Sequence, residues 1–393
     1  MPGDQFIGAL YAYPWALADQ GIDAALDHIG DLAGCREVWL TPCYHRSIFF
    51  RPHHPEKPIY FGENGAVYFS PDISRYSGTQ IQPRVSKEVA DHGYFDRMVE
   101  AINRRGLEFV SWTVYTFQDY LTEQYPQFAN HDAFGTPHVG RLSTAPQDVQ
   151  DYFLALTGEI VERFKPAGVV IESLARRGFS APSKRRGDIT PRCSFVLGLC
   201  FNPASVENAN AAGMDGEGFR REVVEWLRPR LARVPTEEDL LPVAEQWIAA
   251  EFDGRLQQYL DIGRKHTTDL WLRVAEVIHA SGARIHTNLA TADSARRDDL
   301  DPVVNKSIDR AMHHLSSKGD EVRQEVRDLR GQIAPEGDVF VTLKGREAAE
   351  QDLLTEEMQA AADAGIAGGI FHSYGLLREE QLRMIGKALR SVV

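Results

Sequence analysis

"AGVVIES" (Ala167 to Ser173) sets three branched apolar residues in a row and then a glutamate. A strand with one wet face alternates apolar and polar residues, and this run does not. It therefore reads as a strand buried on both faces, as in a parallel sheet covered by helices. Its glutamate stands at the end of the run, where such a strand meets a loop.

The same grammar recurs on both sides of it. "FIGALYAY" (Phe6 to Tyr13), "EVWLTPC" (Glu37 to Cys43) and "EFVSWTVY" (Glu108 to Tyr115) precede it as strands. "ARIHTNL" (Ala283 to Leu289), "DVFVTLKG" (Asp338 to Gly345) and "AGGIFHSYG" (Ala367 to Gly375) follow it. Helical spacings separate them, as with Phe95, Met98, Val99 and Ile102, or Tyr152, Leu156 and Ile160. Strand alternating with helix predicts a parallel sheet with helical crossovers. Seven strands are clear, and "PVVNKSIDRAMHHLSS" reads as neither strand nor helix with certainty.

The expected fold is α/β, a (β/α)8 TIM barrel with long loops and a helical insertion after strand four, spanning about 174–268. Residues 1–393 are expected to form one barrel domain. A doubly wound open sheet fits the alternation too. The chain, however, opens on a strand and closes on a helix, and it has no GxGxxG after the first strand.

Composition narrows the function. The chain has 393 residues, 43% of them hydrophobic, and a formal net charge of −13. Such a charge disfavours a nucleic-acid partner, and the short basic run "RRGFSAPSKRR" (Arg176 to Arg186) reads as a solvated loop. The four cysteines have no CxxC spacing, so neither a zinc ribbon nor a disulfide scaffold is expected. No signal peptide or membrane span is read, which makes a cytoplasmic protein the default. No cofactor is expected. Oligomeric state stays open, a homo-oligomer included.

In a barrel the chemistry sits at the C-terminal strand ends. Glu172 ends strand four. A carboxylate after Val169, Val170 and Ile171 needs a polar mouth or a raised pKa, and both suit a general acid. A structural ion pair with Arg176 or Arg177 is the plainer reading. Strand one delivers Tyr11, Tyr13 and Trp15, strand two Tyr44 and His45, and strand three Trp112 and Tyr115. The strand near Ala283 offers His286 and Asn288, where a hydrogen-bonded core histidine is the alternative. Lys344 and Glu347 follow the next strand. Glu347 is the candidate second catalytic carboxylate, unless it only opens the following helix. The last strand supplies His372, Ser373 and Tyr374.

The segment "CYHRSIFFRPHHPEKPIYF" (Cys43 to Phe61) carries five Phe and Tyr rings and three histidines on a proline-broken loop. It is expected to wall the barrel mouth, with His45, His53, His54, Tyr60 and Tyr68 meeting substrate hydroxyls. Rings, imidazoles and a carboxylate together point to carbohydrate, whose C–H faces pack on rings and whose hydroxyls need many partners. The expected substrate-binding set is Tyr13, Tyr44, His45, His53, Trp112, Tyr115, His286, Asn288, Lys344, His372 and Tyr374.

The pattern "YH…F.RPH.P…YF.E.G.VYF.PD" (Tyr44 to Asp72) and "AGIAGGIFHSYGLL" (Ala364 to Leu377) resemble a group of bacterial TIM-barrel proteins described as glycosyl hydrolases. The likeness extends more thinly through "GVVIESL" and Cys193 to Ala204. It implies a barrel acting on glycosides. The sequence departs from the commonest retaining pattern: Ile171, not Asn, precedes Glu172, and Lys344 stands where a nucleophilic glutamate is usual. "CFNPA" (Cys200 to Ala204) also replaces a CFxxC form, which weakens a metal site.

The leading expectation is a glycoside hydrolase with Glu172 as acid/base. Its partner carboxylate is open among Glu347, Asp72, Glu63 and Asp119. The alternatives are a metal-dependent sugar isomerase or hydrolase using His45, His53, His54, Glu172 and His286; a non-catalytic sugar-binding barrel; and a Schiff-base aldolase on Lys344.

Overall fold

The computed structural model describes residues 6–52, 54–87, 94–175, 189–291, 300–315, 321–343 and 351–392. Eight parallel strands close into a barrel. They are β1 (Ile7–Ala12), β2 (Glu37–Tyr44), β3 (Glu108–Val114), β4 (Gly168–Glu172), β5 (Arg284–Asn288), β6 (Arg310–His313), β7 (Asp338–Leu343) and β8 (Gly368–Phe371). Closure comes from β1, which pairs with β8 from Ile7 opposite Gly368 and with β2 from Ala9 opposite Glu37. The ambiguous segment supplies the eighth strand, β6, after a 3-10 turn at Pro302–Ser307. Helices cover the outside, among them Gln147–Phe164 and Glu379–Ser391. No helix among the described residues is long and apolar enough to cross a membrane.

After β4 the chain makes the expected helical excursion. Its helices Pro191–Leu197, Pro203–Ala211 and Gly216–Ala232 gather an apolar cluster of their own around Val196, Phe219, Val223 and Leu227. The long helix Arg255–Ala280 serves both bodies. Its first turns give Leu256 and Tyr259 to that cluster, and its later turns give Trp271, Val274 and Ile278 to the barrel core. Asn202 caps one of these helices and donates to the carbonyls of Gln127 and Ala129, tying the excursion to the loop after β3. "CFNPA" is thus a structural joint in this fold.

Side chains in a strand alternate between its two faces, so one parity of each strand fills the barrel. At the N-terminal end that parity is charged. Arg310, 3% exposed, donates to Glu37 on β2 at 2.6 Å and to both oxygens of Asp338 on β7 at 2.7 and 2.9 Å. Trp39 donates to the other oxygen of Glu37, and Arg284 to Asp338. The guanidinium also lies 3.6 Å above the Phe340 ring. Gly368 makes room for that ring, since a Cβ there would come within 2.5 Å of it. Burial alone would raise the Asp338 pKa, but Arg310 and Arg284 outweigh it and hold the carboxyl below its usual range.

One layer higher sits His286, 2% exposed, against the Trp39 ring at 5.3 Å. Gly168 is needed beside it, because a Cβ would meet the imidazole at 2.6 Å. Neither ring nitrogen of His286 meets a hydrogen-bond partner among the described residues. Burial first, then the charges of Arg310 and Arg284, push its pKa well below the ordinary value.

Three outcomes follow for stability. Arg310→Ala leaves buried carboxylates without their cation and should cost about 3–5 kcal/mol in urea unfolding. Replacing Arg310 and Glu37 together with apolar residues should cost less than the sum of the two single changes. His286 is neutral in the folded protein, while the unfolded chain takes up a proton near pH 6.5. Stability from this group is therefore complete above roughly pH 6.5 and falls as pH drops below it. His286→Met should flatten the pH dependence of unfolding over that acidic range relative to wild type.

Candidate active site

The parity that carries charge at the barrel floor carries a different set at the mouth. Two to four residues further along, the inward positions are Glu172 on β4, Asn288 on β5, Met312 on β6 and His314 just after it, Thr342 on β7, His372 after β8 and Tyr11 on β1. All of them line a cavity of about 310 Å³ at the C-terminal ends of the strands. Glu172 is its one carboxylate among the described residues.

Glu172 is held on several sides. Its side chain accepts from the Trp112 indole at 2.5 Å. Its carbonyl accepts the Tyr115 backbone N–H, and Thr287 on β5 donates to the carbonyl of Ile171 just before it. The next residue, Ser173, is left-handed at φ 58°, a conformation rare outside glycine. Thr116 holds it there by donating both its N–H and its hydroxyl to the Ser173 carbonyl. Strain of this kind, about 1–3 kcal/mol, persists only where the surroundings enforce it.

The floor beneath Glu172 is aromatic. Tyr11 stacks on His372 at 4.2 Å and meets Trp39 and Trp112 edge-on. Burial, then the Glu172 charge, raise the Tyr11 pKa well above normal, so it stays a neutral phenol. Burial likewise pushes the Cys43 thiol up to about 12, although a hydrogen bond to the Val114 carbonyl opposes the shift. That thiol is no nucleophile at neutral pH.

The ring-rich loop after β2 folds into a hairpin, Ile48–Phe50 against Ile59–Phe61. Phe49 and Tyr60 turn inward, where they pack with Tyr13, Trp15 and Tyr44. Arg51 clamps the hairpin to the helix Pro14–Gln20 through an ion pair with Asp19, and it covers the Tyr60 ring at 4.7 Å. The loop's rings are therefore largely its own packed core. Tyr60 and Tyr68, expected to face ligand, are buried within it. His54 accepts the N–H groups of Glu56 and Lys57 and so shapes the turn. Between hairpin and barrel lies a second compartment, of about 500 Å³, lined by Tyr13, Tyr44, Phe49, Phe50, His372 and Ser373 among others. His372 lines both compartments.

The other expected residues lie elsewhere. Trp112 lines neither compartment, but it bonds Glu172 and packs edge-on against Tyr11. His45 stacks on Tyr44, meets Phe117 edge-on and lines neither compartment. Tyr115 has the opposite parity to Trp112, and its hydroxyl bonds Thr157 on the helix Gln147–Phe164. Tyr374 is buried against His28. His286 sits inside the barrel below the cavity.

Of the candidate partner carboxylates, Asp72 caps the turn at Ser74 and Glu63 holds Ser86 and Lys87. Asp119 is buried in the loop after β3, its pKa raised by that burial and by Glu123. His53, Lys344, Glu347, Arg176 and Arg177 lie outside the described residues. Among the described residues no group of three or more His, Cys, Asp or Glu is placed to hold a metal ion. Met312, His314 and Thr342 were not singled out in the sequence, although the inward parity of a correctly placed β6 and β7 identifies them.

No protein-family model matches the sequence, and no curated protein sequence matches it. Solved structures do match in fold. The α-L-fucosidase isoenzyme 2 from Paenibacillus thiaminolyticus superposes with a TM-score of 0.57 at 13% identity, over 94% of this chain and 46% of that one. A β-galactosidase from the haloarchaeon Halorubrum lacusprofundi gives 0.57 at 11% identity, over 98% and 58%. The catalytic domain of the β-amylase from Paenibacillus polymyxa gives 0.54 at 9%, over 100% and 99%. The chain thus spans about half the length of the fucosidase and somewhat more of the β-galactosidase. At these identities the likeness is one of fold.

Proposed function

We propose that this protein is a glycoside hydrolase in which Glu172 is the general acid/base. The observation that carries the reading is the setting of Glu172. It is a carboxylate fixed at a barrel mouth, in a cavity sized for a single sugar ring and edged by hydrogen-bonding side chains. The barrels similar in fold include a fucosidase, a β-galactosidase and a β-amylase, which supports the same class.

In this reading the sugar ring occupies the cavity with its glycosidic oxygen towards Glu172. Asn288, His314, Thr342 and His372 bind its hydroxyls. The protonated carboxyl gives its proton to the leaving oxygen as the C1–O bond breaks. In a retaining route a second carboxylate first bonds C1, and water then displaces it, its hydroxide going to C1 and its proton to Glu172; in an inverting route water attacks C1 directly and its proton goes to the second carboxylate. Glu347, which follows β7 in the sequence, is the proposed second carboxylate, acting as nucleophile or base. Lys344 precedes it and is proposed to bind a substrate oxygen.

A sugar-binding barrel without turnover is the second reading. It is favoured by the single carboxylate among the described lining residues.

A hydrolysis screen on aryl glycosides and oligosaccharides, run with wild type and Glu172→Gln, with and without EDTA, separates the readings. Sugar release that drops by roughly 10²–10⁴-fold in Glu172→Gln and ignores EDTA is the expected result. Loss with EDTA would replace this reading with metal-dependent chemistry. Sugar binding by both forms with no turnover by either would favour the binding barrel.

A further inference from the structure

We infer that the outer face of the hairpin Ile48–Phe50 and Ile59–Phe61 is a self-association surface, covered by a second copy of this chain packed face to face across a two-fold axis. The inference is independent of the chemistry assigned to Glu172. Each hairpin strand is apolar at all three positions, Ile-Phe-Phe and Ile-Tyr-Phe. A two-stranded sheet with one wet face is expected to alternate apolar and polar residues, and this one does not. Phe49 and Tyr60 take the inner face, against Tyr13 and Trp15. Ile48, Phe50, Ile59 and Phe61 take the outer face and stand 67%, 44%, 52% and 67% exposed.

The pattern of those four side chains points to a copy of the same surface. Ile48 lies opposite Phe61 across the hairpin, and Phe50 lies opposite Ile59. The two phenylalanines therefore occupy one diagonal of a square and the two isoleucines the other. Suppose a copy is laid on it by a two-fold axis in the plane of contact. Whether that axis runs along the strands or across them, every isoleucine meets a phenylalanine of the other copy. This is the self-complementarity that an isologous interface requires, in which residue i contacts j and j contacts i.

The area is of the right order. With about 150–250 Å² for each large side chain, the exposed fractions leave about 350–550 Å² of apolar surface per copy. That matches the largest patches that monomers expose, and it is roughly half of the ~800 Å² each partner contributes to a stable interface. Arg46, Pro55, Glu56, Lys57 and Pro58, all exposed, form a rim that supplies more. The Arg51–Asp19 clamp and the inward rings hold the face in place beforehand, which lowers the ordering cost of association. Charge does not oppose contact here. The chain carries a formal −13, whereas Tyr44 to Phe61 holds Arg46, Arg51 and Lys57 against Glu56 alone. Ile48 and Phe50 also edge the compartment beside His372, so the contact lies at the rim of the barrel mouth.

Sedimentation equilibrium of the full chain tests this without any substrate. Wild type should associate to twice the chain mass at about 50 μM. Phe61→Glu should weaken that association by about 30-fold or more, because each substitution acts twice across a two-fold contact. Ile59→Ser, a milder change on the same face, should weaken it less, and both variants should keep the wild-type circular dichroism. Val234→Glu adds the same charge at another exposed apolar residue, 85% exposed on the helical excursion, and should leave association unchanged. A monomeric wild type would overturn the inference, and binding of that monomer to lipid vesicles or to a polysaccharide through this hairpin would give the face to a different partner. A dimer that survives both hairpin substitutions, or that Val234→Glu disrupts equally, would also overturn it.

Discussion

The buried guanidinium of Arg310 is the contact around which the barrel is organised. It reaches from β6 across the interior to Glu37 on β2 and sideways to Asp338 on β7. Three strands are thereby fixed in register at their N-terminal ends. Side chains alternate with period two, so fixing this layer decides what points inward further along. Met312 and His314 follow Arg310, Phe340 and Thr342 follow Asp338, and Trp39 follows Glu37. A slip of one residue would turn each of these sets out of the barrel and empty the mouth of its polar groups. The charge layer is a weak source of stability against a well-packed apolar one, and its value here lies in specifying register.

That register also explains how much of the molecule could be read in advance. Seven strands were legible because each is a nearly continuous apolar run, as a strand covered on both faces must be. The eighth was not, since β6 is four residues long and begins with a buried arginine. Glu172 was legible for the opposite reason, as a lone charge at the end of an apolar run. Tyr115 was misplaced for want of parity: Trp112 points in, so a residue three along points out to the helices. The ring-rich loop was read as a wall for ligand, but most of its rings are spent on each other. Two strands of three residues, broken up by Pro52, Pro55 and Pro58, leave too short a pattern to show which rings face which way.

The mouth combines rigidity with a single carboxylate among its described lining residues. An indole, a strained serine and paired hydrogen bonds from Thr116 fix the position of Glu172, while the layer under it is built from Tyr11, Trp112 and His372. Nearby Tyr11 and Cys43 are kept neutral by burial, and Glu172 faces the cavity together with Asn288, His314, Thr342 and His372.

The central claim is that a glycosidic oxygen is presented to Glu172 in the polar cavity. A crystal structure of Glu172→Gln soaked with the aryl glycoside that binds tightest would test it most directly. The account predicts the sugar ring between Asn288, His314 and His372, with its glycosidic oxygen within hydrogen-bond distance of the residue 172 side chain. A sugar bound outside that cavity, or inside it with the glycosidic oxygen turned away from residue 172, would contradict it.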